Sequence, residues 1–136
     1  MKDGLKPGIT MTRRIDITKD NTIAFMGEDL RVYATPAMVL DIEHLCRDMI
    51  FEYCGEGEDS VGAHVSVDHL GPTLLGMWVE VTVTVTEVDG PKVVMETEVL
   101  DALDTVGRGT HVRYVIDMAR QKKRLEGKAA KFAELA

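Results

Sequence analysis

The longest regular pattern of apolar positions is helical. From Pro36 to about Tyr53, apolar residues recur at offsets of three and four, the spacing of a single helix face. Thr35 is expected to cap this helix with its hydroxyl, with Pro36 at the first helical position. The glycines of Gly55-Glu56-Gly57 end it. The predicted buried stripe is Met38, Ile42, Leu45, Cys46, Met49, Ile50 and Tyr53.

A two-residue alternation, typical of strands, dominates most of the remaining chain. Weak alternation over residues 9–18 predicts a first strand, and four further strands are predicted after the helix, over residues 61–70, 77–86, 92–101 and about 105–118. Asp89-Gly90 is a strong signal for a hairpin turn. Residues 119–136 predict a weakly amphipathic tail that is helical or frayed.

This order of elements predicts an α+β fold over residues 1–136, taken as a single domain. About five antiparallel strands would wrap around one long central helix, which is the hot-dog arrangement. The 45% apolar content fits a globular protein, and the net charge of −7 argues against a general nucleic-acid binder. No apolar run approaches membrane-spanning length, and the first residues lack the apolar core of a signal peptide. We therefore expect neither nucleic acid nor a membrane as partner.

The two cysteines indicate a reducing compartment. Cys46 and Cys54 are predicted in the same helix, about 12 Å apart at the helical rise, so they cannot pair with each other. Reduced thiols are typical of a cytoplasmic protein. The histidines and cysteines show no spacing typical of metal ligands, so we expect no metal ion.

Three polar residues fall where the patterns predict the interior. Glu43 lies on one flank of the helix, where burial would raise its pKa unless it finds partners. His69 ends a strand face that we expect to pack on the helix, formed with Val61, Ala63, Val65 and Val67. Each has a purely structural interpretation: Glu43 can reach water from the stripe edge, His69 can be a core or strand-end histidine, and Thr35 can be only a cap. Thr35 and Glu43 are about 12 Å apart along a regular helix, so a site using both needs a bridging ligand, the histidine or a second subunit.

The basic residues are unevenly distributed. Arg120-Gln121-Lys122-Lys123-Arg124 contains four of the 16 lysines and arginines of this acidic chain. Such a cluster is either a solvated helix face or a local site for a ligand that carries phosphate. On the second interpretation, Arg120 and Lys123 would contact the phosphates.

The quoted residues also resemble a known family. The runs Tyr33–Val39 with Glu43, Val61–Thr73 and Gly109–Arg113 are similar to those of hot-dog thioesterases related to fluoroacetyl-CoA thioesterase, over about residues 5–120. The resemblance implies a catalytic set of Thr35, Glu43 and His69, with the Gly62 N–H contacting the acyl group and Arg113 near the pantetheine or phosphate path.

Two departures from this family stand out. Val112 replaces a glutamate in the Gly-Thr-His-Glu-Arg run, so any role of that glutamate is absent. The segment before Thr35 is short and lacks the phenylalanine-bearing lid, because Phe25 is the only aromatic residue before Tyr33. Selectivity for a fluoroacetyl group is therefore not expected.

These observations predict an enzyme that hydrolyses an acyl-CoA or related thioester at a subunit interface. The expected assembly is a homodimer, with a tetramer as the alternative. Donors at the helix N-terminus would stabilise the oxyanion, and Glu43 with His69 would supply a base and its orienting partner. Coenzyme A enters only as part of the substrate, and no separate cofactor is expected. Attack by Thr35, Glu43 or water remains open. The alternatives are a non-catalytic acyl-CoA or acyl-ligand binder and, ranked lower for want of an Asp/His motif, a dehydratase or hydratase.

Overall fold

Five strands form one antiparallel sheet. The computed structural model describes residues 1–136. The sheet strands are β1 (Thr10–Asp16), β4 (Glu58–His69), β5 (Trp78–Asp89), β6 (Lys92–Asp101) and β7 (Thr105–Asp117), and they lie side by side in the order β1-β5-β6-β7-β4. A two-stranded ribbon of β2 (Thr22–Ile23) and β3 (Val32–Tyr33) precedes the long helix α1 (Thr35–Phe51), and a second helix, α2 (Met118–Ala133), follows the sheet. The predicted α+β hot-dog architecture is confirmed.

The core lies between α1 and the central strands. All predicted stripe residues within α1 are buried, and they pack with alternate residues of the strands: Val79, Val81, Val83, Val85, Val93, Met95 and Val99. Full burial of one such side chain stabilises the fold by about 1.5–3 kcal/mol. The core therefore holds α1 across the sheet and fixes where the two ends of the helix lie.

Two expectations about α1 are wrong. Thr35 is already a helical residue, Ala34 occupies the cap position, and no side chain caps the helix. The Thr35 hydroxyl bonds instead to His69, which lies at the end of β4. Cys54 lies beyond the helix end at Phe51, and both cysteines are buried and unpaired.

A bulge in β4 changes which residues face the helix. The pairing of β4 with β7 shifts between Gly62 and His64, so Ala63 is an extra residue and the alternation reverses there. Gly62 pairs with buried Arg113, and Val65 pairs with buried His111. Directly opposed residues in antiparallel strands share a face, so Gly62 and Val65 both face the helix.

The prediction of which β4 side chains face the helix is therefore correct only for the residues after the bulge. Val67 and His69 share the helix side with Val65, as expected, whereas Val61 and Ala63 lie on the other side of the bulge with reversed orientation. Gly62, which strict alternation placed on the opposite face, belongs to the helix side. A local insertion of one residue causes all of these differences.

The C-terminal tail forms a regular helix. The Asp117 carboxylate accepts from the Ala119 N–H at 2.9 Å and so caps α2. No residue of α2 is buried in the single chain. None of the helices combines the length and the apolar character needed to cross a membrane.

Candidate functional site

The end of β4 meets the start of α1 in a close polar contact. Thr35 Oγ1 lies 2.7 Å from His69 Nδ1. Burial lowers the pKa of His69, which keeps the ring neutral near pH 7. A neutral ring protonated at Nε2 can accept the Thr35 hydroxyl proton at Nδ1. The His69 Nε2 atom is buried and has no hydrogen-bond partner in the chain.

An open pocket of about 330 Å³ lies beside this pair. Thr35 and His69 contribute polar atoms to it, and the remaining lining is Ile23, Val32, Tyr33, Leu70, Gly71 and Pro72. The volume is at the low end of the range for small-molecule sites. A short apolar group with a carbonyl at its end would suit this lining.

Tyr33 and Asp41 support the pair, and the sequence patterns missed this role. The Tyr33 hydroxyl donates to Asp41 Oδ2, and the Tyr33 ring meets the His69 ring edge-on with centroids 6.3 Å apart. Burial raises the pKa of Asp41 and of Tyr33. Tyr33 belonged to the quoted family-like run, but nothing in the spacing linked it to Asp41.

A second polar group lies further along α1 and β4. Glu43 Oε1 is 3.4 Å from Arg113 Nη1. The same guanidinium donates to Ser60 Oγ and to the Ser60 carbonyl, both at 2.8 Å, and lies 3.3 Å from His111 Nε2. The Arg113 side chain is 5% exposed, whereas that of Glu43 is 44% exposed. Glu43 therefore presents its carboxylate to the surface from a rigid, buried support.

Gly62 of β4 lies close to the Glu43 carboxylate. A Cβ built on Gly62 would lie 3.0 Å from Glu43 Oε1 and 3.5 Å from Arg113 Nη1. Any larger residue here would require the Glu43 carboxylate to shift by a few tenths of an ångström. Burial lowers the pKa of His111, and the neighbouring Arg113 lowers it further.

The single chain does not unite the predicted catalytic residues. Thr35 and His69 are in contact, Glu43 lies beside Gly62, and the two groups are separated along α1 by about 12 Å. The hydrogen bonds of Arg113 go to Ser60, Glu43 and His111. Its place near the pantetheine or phosphate path, which the resemblance implies, stays a prediction. No group of three or more His, Cys, Asp or Glu side chains could hold a metal ion.

The two α2 residues that were predicted to contact phosphate also lie in different places. Lys123 lines a basic groove between α2 and β4, whereas Arg120 does not. Sequence spacing indicated the cluster but could not show which of its members face β4.

Comparison with known proteins gives a consistent result. Residues 17–119 match the sequence model of the family described as fluoroacetyl-CoA-specific thioesterase. The fluoroacetyl-CoA thioesterase of Streptantibioticus cattleyicolor is 30% identical over 127 residues, covering 88% of this chain and 91% of that protein.

Solved structures extend the likeness to nearly the whole chain. A hypothetical protein of Thermus thermophilus, described as a thioesterase superfamily member, superposes with a TM-score of 0.89 at 25% identity, covering 97% of this chain and 98% of the other. A point mutant of the fluoroacetyl-CoA-specific thioesterase, in complex with fluoroacetate and CoA, superposes with a TM-score of 0.78 at 28% identity, covering 85% and 98%.

Proposed function

Because the chain belongs to the fluoroacetyl-CoA-specific thioesterase family and is a thioester hydrolase, we propose that it cleaves a short-chain acyl-CoA at a site shared by two subunits. The observation that carries this proposal is the 2.7 Å contact between Thr35 Oγ1 and Nδ1 of the half-buried His69 ring at the pocket. Water is the second substrate, and the products are a carboxylic acid and free coenzyme A. Coenzyme A is part of the substrate, and no further cofactor takes part.

The edge strand β4 supports a two-fold dimer. Its outer edge has no partner strand in the chain, and exposed backbone donors and acceptors favour pairing with a second copy. Suppose that two β4 strands pair in antiparallel fashion about Ser66. Val65 then lies opposite the partner subunit's Val67. Because Ala63 is the extra residue of the bulge, Gly62 falls opposite the partner subunit's His69.

This register assembles the two polar groups into one site. Gly62 and Glu43 of one subunit would approach Thr35 and His69 of the other, and the helix-facing sides of the two strands would be continuous. Val65, 41% exposed in the single chain, and Leu40, 50% exposed, would gain cover at the interface. In this register the bulge would have a functional consequence, because without it Gly62 and His69 could not share a face across the two-fold axis.

The chemistry follows from the protonation states. His69 takes the proton of the attacking hydroxyl, either that of Thr35 or that of a water molecule held by Thr35. The new C–O bond forms at the thioester carbon while charge develops on the carbonyl oxygen, which backbone N–H groups can stabilise. The C–S bond then breaks, and the proton passes to the departing thiolate. Glu43 would orient water for this attack or for hydrolysis of an acyl-Thr35 intermediate.

The proposed acyl group is short and not restricted to fluoroacetyl. The pocket beside Thr35 holds about 330 Å³, and Phe25, 90% exposed, does not line it. Acetyl-CoA and fluoroacetyl-CoA should therefore have kcat/KM values within about tenfold of each other, since no aromatic lid separates them (tenfold being about 1.4 kcal/mol). A difference of several orders of magnitude would contradict this part of the proposal.

Thiol release from acyl-CoA tests the proposed site. Glu43→Gln and His69→Ala should each lower kcat by about 10² or more, as expected for lost acid–base groups. Glu52→Gln, an exposed glutamate just past the same helix, and His64→Ala, an exposed histidine on β4, serve as matched controls. Full activity in either site variant with an unchanged melting temperature would refute the assignment. Tight CoA binding without thiol release by the wild type would favour the non-catalytic alternative.

A further inference from the structure

A groove of about 630 Å³ separates α2 from β4. Its α2 wall carries four cations, Lys123, Arg124, Lys128 and Lys131, and its lining contains no acidic residue. None of the four forms a salt bridge, although the chain has a net charge of −7. On the β4 side the groove is lined by Val61 and Gly62. An uncompensated basic cleft on an acidic protein favours an anionic ligand.

The basic cluster does not help to stabilise α2. Arg124, Lys128 and Lys131 follow at helical spacing on one face, where like charges four residues apart weaken a helix. The helix buries no residue in the single chain, and Gly127 in its interior costs about 1 kcal/mol of helix propensity. A tail that served only as a solvated helix would gain from alternating charges. The observed arrangement instead concentrates positive charge towards β4.

We propose that this groove binds the phosphates of the coenzyme A portion of the substrate. The inference rests on the proposed acyl-CoA hydrolysis, because Gly62 links the groove to Glu43 and so to the reacting end of the ligand. Lys123 and Lys131 are about 12 Å apart along the helix axis, which suits a ligand whose phosphates are distributed rather than clustered. Arginine contributes a fork for one phosphate, and lysines contribute point charges for the others.

This assignment revises the expectation from the sequence. Lys123 keeps its predicted role, Arg120 is replaced by Arg124, Lys128 and Lys131, and Arg113 belongs to the support of Glu43. The basic segment of residues 120–124 contains only half of the groove cations, because Lys128 and Lys131 lie one and two helical turns further along α2.

Calorimetric titration with free coenzyme A tests the groove directly. The double variant Lys123→Glu/Lys128→Glu should weaken binding about tenfold or more, since two exposed attractive pairs become repulsive. The control Lys122→Glu/Lys6→Glu makes the same change in net charge at exposed positions outside the groove and should bind as the wild type does. In thioester kinetics the groove variant should raise KM for acetyl-CoA by a similar factor, with kcat retained. S-acetylpantetheine, which lacks the nucleotide, should not respond.

The outcomes separate this proposal from the proposed function. Equal CoA affinity in the wild type and the groove variant, or no CoA binding by the wild type, overturns the groove assignment while leaving hydrolysis to its own test. Weakened CoA binding in the groove variant without any thioester hydrolysis by the wild type keeps the groove and removes the enzyme assignment. A lower dimer fraction by light scattering with unchanged CoA affinity would assign the groove to the subunit interface and overturn the proposal.

Discussion

Replacement of Gly62 by alanine offers the sharpest test of how the Glu43 carboxylate is held. The new Cβ would lie 3.0 Å from Glu43 Oε1, closer than ordinary van der Waals contact. Arg113 and His111 are buried and cannot yield, whereas Glu43 is partly exposed and can swing outward. A displacement of a few tenths of an ångström would break its 3.4 Å contact with Arg113, which is already long.

Activity and stability should then move in opposite directions. Displacing a catalytic group by 1 Å costs about 10²-fold in rate, so a smaller shift should lower kcat about tenfold. Gly62 does not have a positive φ, so alanine fits its backbone. The loss of unfolded-state entropy should raise stability by about 0.4–1 kcal/mol. Thiol-release kinetics and scanning calorimetry measure the two effects on the same samples.

A double-mutant cycle with Glu43→Asp isolates the cause. Aspartate is one methylene shorter, so its carboxylate should no longer meet the new methyl group, and Gly62→Ala should cost much less in that background. An equal loss of rate in both backgrounds would place the effect elsewhere, for example at the subunit interface. Unchanged activity of the single variant, or a fall in melting temperature that accounts for the loss, would refute the reasoning.

Three further predictions follow from the same contacts. Thr35→Ala should lower the free energy of unfolding by only about 1 kcal/mol, since the variant loses one hydrogen bond and Thr35 is not a cap. The same variant should lower kcat by much more than this loss of stability explains, whereas Thr35→Ser should keep most of the activity. Equal rates for the Ala and Ser variants would remove Thr35 from the site. Burial holds the pKa values of His69 and His111 below the usual 6.5. The free energy of unfolding should therefore be constant well above pH 6.5 and fall as the pH drops through it, because the unfolded chain takes up protons that the folded chain resists. The value of kcat/KM should also fall on acidification, since His69 must be neutral to take a proton. A stability that rises on acidification from pH 6.5 would contradict this. Val65→Glu should convert a dimer into a monomer in light scattering at micromolar concentration, and a wild type that is itself monomeric would refute the proposed two-fold interface.

Local spacing in the sequence was enough to predict α1 and the five strands of the main sheet. The helical period from Pro36 onward and the alternating valines after Trp78 are set by backbone geometry, which repeats every 3.6 or two residues whatever the rest of the chain does. The hot-dog arrangement followed from the order of these elements, whereas the thioesterase family came from the resemblance of the runs around Thr35, Gly62 and His69 to a known family; both are confirmed.

Only the tertiary structure decided how the site residues are oriented and paired. The bulge at Ala63 arises from the pairing of β4 with β7, so alternation along β4 alone could not show that Gly62 faces the helix. The burial of Arg113 depends on Ser60, 53 residues earlier, and its carboxylate partner Glu43 comes from a different element. Hydrogen bonds between distant segments leave no periodic trace in a sequence, because their partners are chosen by packing. For the same reason, the separation of Thr35 and His69 from Glu43, and with it the case for a second subunit, became visible only in the folded chain.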